Sequence, residues 1–124
     1  ATGYCHRIIC AQDYSAVTAA CMMVKAAVYR EVGGLSEHLK VAFNDIDFCM
    51  KVREKGYLVV YNPRAELYHY ESKSRGLENT QEKIERFNGE VAQFLSRWGD
   101  QVKAGDPYYN PNLSLDKADF SLKL

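Results

Sequence analysis

A chain of 124 residues is enough for one domain and not for two. Its 47% hydrophobic and 26% charged residues match an ordinary globular protein, and sixteen basic residues against sixteen acidic ones exclude an overall field favouring nucleic acid or an anionic membrane. No apolar run reaches the roughly 20 residues that span a bilayer.

The start, Ala1-Thr2-Gly3-Tyr4-Cys5-His6-Arg7, has neither an initiator Met nor a signal-peptide pattern, so the expectation is a piece of a longer protein. Cys5, Cys10, Cys21 and Cys49 with His6, His38 and His69 could suggest zinc, but no C-x-x-C pair occurs. Cys21 and Cys49 lie in apolar patterns and read as small buried side chains. The four thiols fit a reducing compartment, although two disulfides would also account for them.

Val17 to Val24 is a continuous apolar run with β-branched ends and reads as a buried strand. Lys25 to Val32 reads as a short helix stopped by Gly33-Gly34. Leu35 to Ala42 is a loop leading to Phe43-Asn44-Asp45-Ile46-Asp47-Phe48, where two acids and an amide sit at the start of a helix running from about Asp45 to Lys55. Gly56 ends that helix before a strand, Tyr57 to Tyr61. Asn62-Pro63 is a turn, and Ala65 to Tyr70 is extended. The succession strand, helix, helix, strand, strand indicates an α/β layer.

Ser72 to Gly76 is a basic loop. From Asn79 to about Trp98, Ile84, Phe87, Val91, Phe94 and Trp98 form one helical stripe, with Asn79 and Glu82 as a capping arrangement. Gly89 weakens that helix by about 1 kcal/mol relative to Ala, so packing must hold it. The aromatic, turn-rich tail from Asp106 to Ser114 is expected to lie against the body of a larger protein.

At the helix start, an acid can cap free backbone N–H groups and complement the helix dipole. An acid lining a cleft can instead take a proton from a substrate. Asp45-Ile46-Asp47 also spells D-x-D, but three letters carry little specificity, and it is not read as a metal motif. Gln93-Phe94-Leu95-Ser96-Arg97-Trp98 misses the Q-x-x-R-W spacing of processive polysaccharide synthases by one residue and reads as helix packing.

The order of these pieces carries a resemblance. The run Thr18 to Val24, then Glu31-Val32-Gly33-Gly34-Leu35, Asn44-Asp45-Ile46-Asp47-Phe48-Cys49, Gly56-Tyr57, Val60-Tyr61-Asn62-Pro63 and Leu67-Tyr68-His69-Tyr70-Glu71-Ser72 resembles the C-terminal half of family 2 glycosyltransferases of GT-A fold. The tail is similar to the end of bacterial members that build surface polysaccharides. The resemblance covers residues from about 15 to 116.

It implies an α/β fold: a partial GT-A mixed sheet with flanking helices and a C-terminal helix. Residues 1–76 would be the acceptor-side catalytic half, and 77–124 the C-terminal helix and tail of the same domain. Asp45 matches the catalytic base that deprotonates the acceptor hydroxyl during inverting transfer from a nucleotide-diphosphate sugar. Asn44 departs from the commoner Glu, and Asp47 matches a frequent second, supporting acid. His69 would help hold a divalent metal, Mn²⁺ or Mg²⁺, kept mainly by the missing N-terminal half, although a lone His is more often structural. Lys73 and Arg75 would meet the leaving diphosphate or form a solvated loop.

Tyr68, Tyr70, Tyr108 and Tyr109 would flank a sugar or pack. The implied partners are a nucleotide-diphosphate sugar and a glycan acceptor, with no nucleic acid. Half a sheet exposes an apolar edge that a homodimer would cover. The isolated chain is therefore expected to have little or no transferase activity. A cytoplasmic site or the cytoplasmic face of the membrane follows from cytosolic donors. The alternative is a non-catalytic glycan-binding or interaction module built on the same half-fold.

Overall fold

The computed structural model describes residues 2–70 and 80–123. Strand β1 (Gln12–Tyr14) pairs antiparallel with β2 (Val59–Tyr61), placing Gln12 opposite Tyr61 and Tyr14 opposite Val59. Three helices accompany this small sheet: α1 (Ala26–Glu31), α2 (Asn44–Glu54) and α3 (Gln81–Ala104). Helices flanking a two-stranded antiparallel sheet make an α/β architecture, as expected in class. A larger GT-A sheet is not part of the described residues.

The helix stops follow directly from glycine. In α1, Gly33 takes φ +80°, its N–H donates to the Arg30 carbonyl (3.1 Å), and the Gly34 N–H donates to the Tyr29 carbonyl (2.8 Å). In α2, Gly56 takes φ +88°, its N–H donates to the Arg53 carbonyl (2.9 Å), and the Tyr57 N–H donates to the Val52 carbonyl (3.3 Å). Both are Schellman closures, which need a left-handed residue just past the helix.

The apolar run from Val17 to Val24 is not a strand. The Thr18 hydroxyl accepts from the Ala20 N–H (3.3 Å), and the Asp45 carboxylate accepts from the Ala19 N–H (3.1 Å). Two backbone donors thus go to side chains instead of a ladder, and Ala19–Cys21 closes into a 3₁₀ turn. Cys21 is exposed, against expectation, and Met23 is 98% exposed, whereas Cys49 is buried as expected. Ala65 to Tyr70 likewise joins no strand, and its side chains are exposed. The expected strand at Tyr57–Tyr61 is present as β2, with Val59 buried and Val60 exposed by the alternation of a pleated strand.

Helix α2 serves two cores. Phe48 and Val52 pack with Val28 of α1, joined by Met22 and Val32. On its other side, Met50 joins Leu39, Phe43, Phe94 and Trp98. The stripe of α3 is therefore real but graded: Phe94 and Trp98 are buried, while Ile84 and Phe87 remain about two-fifths exposed. Its cap is Thr80, whose hydroxyl accepts from the Lys83 N–H (3.3 Å); the expected cap at Asn79 lies outside the described residues.

The tail turns back on its own chain. The Ser114 N–H donates to the Ser121 carbonyl, the Lys123 N–H donates to the Asn112 carbonyl (both 2.8 Å), and Phe120 stacks on Tyr4 with ring centroids 4.7 Å apart. Arg53 of α2 lies over the Tyr108 ring at 5.4 Å. No helix among the described residues is long and apolar enough to cross a membrane.

Candidate functional site

The two acids at the start of α2 have different surroundings. Asp45 is half-buried; one carboxylate oxygen accepts from the Ile46 N–H (2.9 Å), and the other accepts from the Ala19 N–H (3.1 Å). A carboxylate offers about four lone-pair sites, so two backbone bonds leave acceptor capacity open. Asn44, also half-buried, is the first residue of the helix.

Asp47 is 1% exposed and fully engaged. It accepts from the Ser36 hydroxyl (2.5 Å) and the Trp98 indole N–H (2.7 Å), and the Lys51 ammonium stands 3.5 Å away. Burial alone would raise its pKa. The hydrogen bonds from Ser36 and Trp98, with the charges of Lys51 and Arg97, outweigh burial and hold the carboxyl below its ordinary value. Lys51 also donates to the Gly34 carbonyl (2.5 Å) and to Ser36 (3.2 Å), tying α2 to the Gly33–Gly34 turn. Asp47 therefore joins α2 to α3 and to the loop that precedes α2, leaving Asp45 as the more accessible acid of the pair.

The approach to Asp45 is held tightly. Phe43, just before α2, takes φ 63° and ψ 1°, a left-handed conformation that costs a non-glycine residue about 1–2 kcal/mol. Its ring is held by Phe94 at 5.2 Å and Phe87 at 5.6 Å between centroids. Leu39 is buried beneath the same loop. Glu90 of α3, 4% exposed, accepts from the Val41 and Ala42 N–H groups, each at 3.0 Å.

A groove of about 1090 Å³ runs between α2, the end of α3 and the returning tail. Ile46, Met50, Trp98, Val102 and Tyr109 line it, and Ile46 brings its edge to the residue after Asp45. Tyr109 also donates its hydroxyl to the Ser114 carbonyl (2.9 Å). A second cleft of about 500 Å³ lies between the Val17–Val24 run and β2, with Cys49 in its wall. Burial raises the Cys49 thiol's pKa, and its sulfur faces the Val17 carbonyl at 3.8 Å.

Of the other residues expected at the metal and the diphosphate, His69 alone falls among the described ones. His69 is exposed between Tyr68 and Tyr70, whose rings lie 6.5 Å apart between centroids. Among the described residues no three His, Cys, Asp or Glu side chains gather as a metal site. Lys73 and Arg75 lie outside the described residues. Sequence reasoning missed Glu90, Ser36 and the Asp47–Lys51 pair. Two signals were available: Glu90 stands four and eight residues before Phe94 and Trp98 on the buried stripe, and Lys51 stands four after Asp47.

Comparison with known proteins gives a consistent direction. The chain is 54% identical over 121 residues to uncharacterized protein y4gI of Sinorhizobium fredii, matching 97% of this chain and 13% of that protein. It is 30% identical over 112 residues to the O-antigen biosynthesis protein RfbC of Myxococcus xanthus, which covers 90% of this chain and 8% of that protein. It is also 30% identical over 60 residues to the N-acetylglucosaminyl-diphospho-decaprenol L-rhamnosyltransferase of Mycobacterium tuberculosis, covering 48% of this chain and 20% of the enzyme. The chain thus spans a fifth or less of the length of these relatives. No protein-family model and no solved structure matches it. The chain has a general glycosyltransferase-like relationship to proteins of sugar transfer and O-antigen biosynthesis.

Proposed function

We propose that this chain is the acceptor-side portion of an inverting family 2 glycosyltransferase of GT-A type, with Asp45 as its general base. The observation that carries this reading is the contrast between the two acids: Asp47 is enclosed by Ser36, Trp98 and Lys51, whereas Asp45 is partly accessible at the end of a constrained loop. The relationship to sugar-transfer proteins supports the reaction class.

In the proposed step, Asp45 takes the proton of an acceptor hydroxyl as that oxygen bonds to the anomeric carbon. The bond from that carbon to the diphosphate breaks, and the nucleoside diphosphate leaves. Asp45 then returns its proton to solvent. Attack opposite the leaving group inverts the anomeric configuration. The groove lined by Ile46 and Tyr109 begins one residue past Asp45 and in this proposal supports the acceptor beside the base rather than around it.

Among the described residues no three His, Cys, Asp or Glu side chains gather that could hold a divalent cation with His69. In this proposal the cation and the donor are held by residues outside this chain, in a longer protein whose donor half completes the sheet.

The test is incubation of the full-length protein with a panel of nucleotide-diphosphate sugars and a surface-glycan extract, with product anomers read by NMR. A transferred sugar of inverted configuration is expected. Retained configuration would contradict the single displacement. Glycan binding without consumption of any donor would favour a non-catalytic module.

A further inference from the structure

We propose that Glu90 is a positioning residue for Asp45, acting through the backbone rather than on substrate; this rests on the reading of Asp45 as base. Glu90 lies on the buried face of α3, one turn before Phe94 and two before Trp98. A carboxylate in that apolar setting needs strong partners, and both its oxygens find them: Oε1 accepts from the Val41 N–H and Oε2 from the Ala42 N–H, each at 3.0 Å. Those two amides immediately precede Phe43, whose left-handed backbone turns the chain into α2.

Ala42 is three residues before Asp45. Glu90 therefore fixes two consecutive peptide groups at the point where the chain direction is set, while Phe87 and Phe94 hold the ring of the strained residue. The clamp makes α3 part of the machinery that places the Asp45 carboxylate. A neutral amide at position 90 cannot reproduce it: Gln keeps one acceptor and turns an NH₂ donor toward the other backbone N–H.

The experiment compares Glu90→Gln, Glu90→Ala and Asp45→Asn in the full-length protein. Hydrogen–deuterium exchange is followed in the peptide containing Val41 and Ala42, and steady-state kinetics by nucleoside diphosphate release from the donor found active in the panel. For Glu90→Gln we expect exchange of the 41–42 amides to rise about tenfold or more while the Phe94–Trp98 segment keeps its protection. We expect kcat to fall by about 10- to 100-fold with donor KM within about twofold, the signature of a displaced base. Should Glu90→Ala fail to fold, the Gln variant preserves side-chain volume and carries the test.

Unchanged amide protection, or lost protection with full kcat, would overturn the positioning role. An inactive Asp45→Asn beside a fully active Glu90→Gln would overturn that role alone. A fully active Asp45→Asn would overturn the base, and the positioning role with it.

Discussion

At the scale of single residues, the chemistry divides between an acid left accessible and an acid enclosed. Asp47 is buried with Lys51 as its counter-charge, so removing the carboxylate leaves an ammonium without its ion partner in a low-dielectric setting. Asp47→Ala is expected to lower stability at pH 7 by about 3 kcal/mol, measured by chemical denaturation. Although burial raises the Asp47 pKa, hydrogen bonds from Ser36 and Trp98 and the charge of Lys51 hold its carboxyl below the ordinary carboxylate value. The fold therefore favours the ionised form, and the contribution is complete above that ordinary value and lost as pH falls through the lower, folded one. In Asp47→Asn the acid limb of the stability–pH curve should flatten; an unchanged limb would show that Asp47 carries none of the acid sensitivity. Cysteine reactivity separates in the same way. Cys5, Cys10 and Cys21 are exposed, whereas Cys49 is buried with its pKa raised, so it forms less thiolate at a given pH. Alkylation of the native chain followed by mass spectrometry should label the first three and leave Cys49 for last.

At the scale of elements, the three helices and the second strand were legible because each is written in local signals. Gly33-Gly34 and Gly56 mark left-handed stops, and the Phe94–Trp98 spacing marks a buried stripe. The run from Val17 to Val24 was misread because hydrophobicity reports burial and β-branching reports preference, but neither reports where the N–H groups go. Here they meet the Thr18 hydroxyl and the distant Asp45 carboxylate, a partner 26 residues away that no local pattern reveals. Strand β1 was missed for the converse reason: its three residues are too few to show an alternation. Two glycines give opposite expectations from the same substitution. Gly56→Ala forces a side chain into φ +88° and should destabilise by about 1 kcal/mol. Gly89 is helical with open space around its would-be Cβ, so Gly89→Ala should stabilise by about 0.5–1 kcal/mol. In thermal denaturation a raised midpoint for Gly56→Ala would contradict the first assignment, and a lowered midpoint for Gly89→Ala the second.

At the scale of the whole molecule, a small sheet leaves much apolar surface uncovered: Met23, Leu58, Val60 and Leu67 are all more than half exposed. Burying such surface stabilises by about 25 cal/mol per Å², which favours self-association of the separated chain. Light scattering after size exclusion should give the isolated chain a mass above its 14.1 kDa monomer. Asp45 stands out in the sequence because the acid and the helix start are adjacent there. The hold on the loop before it does not, because Glu90 reaches Val41 and Ala42 across almost 50 positions. The account turns on what the Asp45 carboxylate does, and the most direct measurement is sugar transfer by the full-length protein, wild type against Asp45→Asn, with donor affinity measured in parallel. A loss of turnover of about 10²-fold or more with donor affinity retained is the predicted result. Undiminished turnover would make Asp45 a structural acid that ties the Ala19 turn to α2, and would contradict its role as the base.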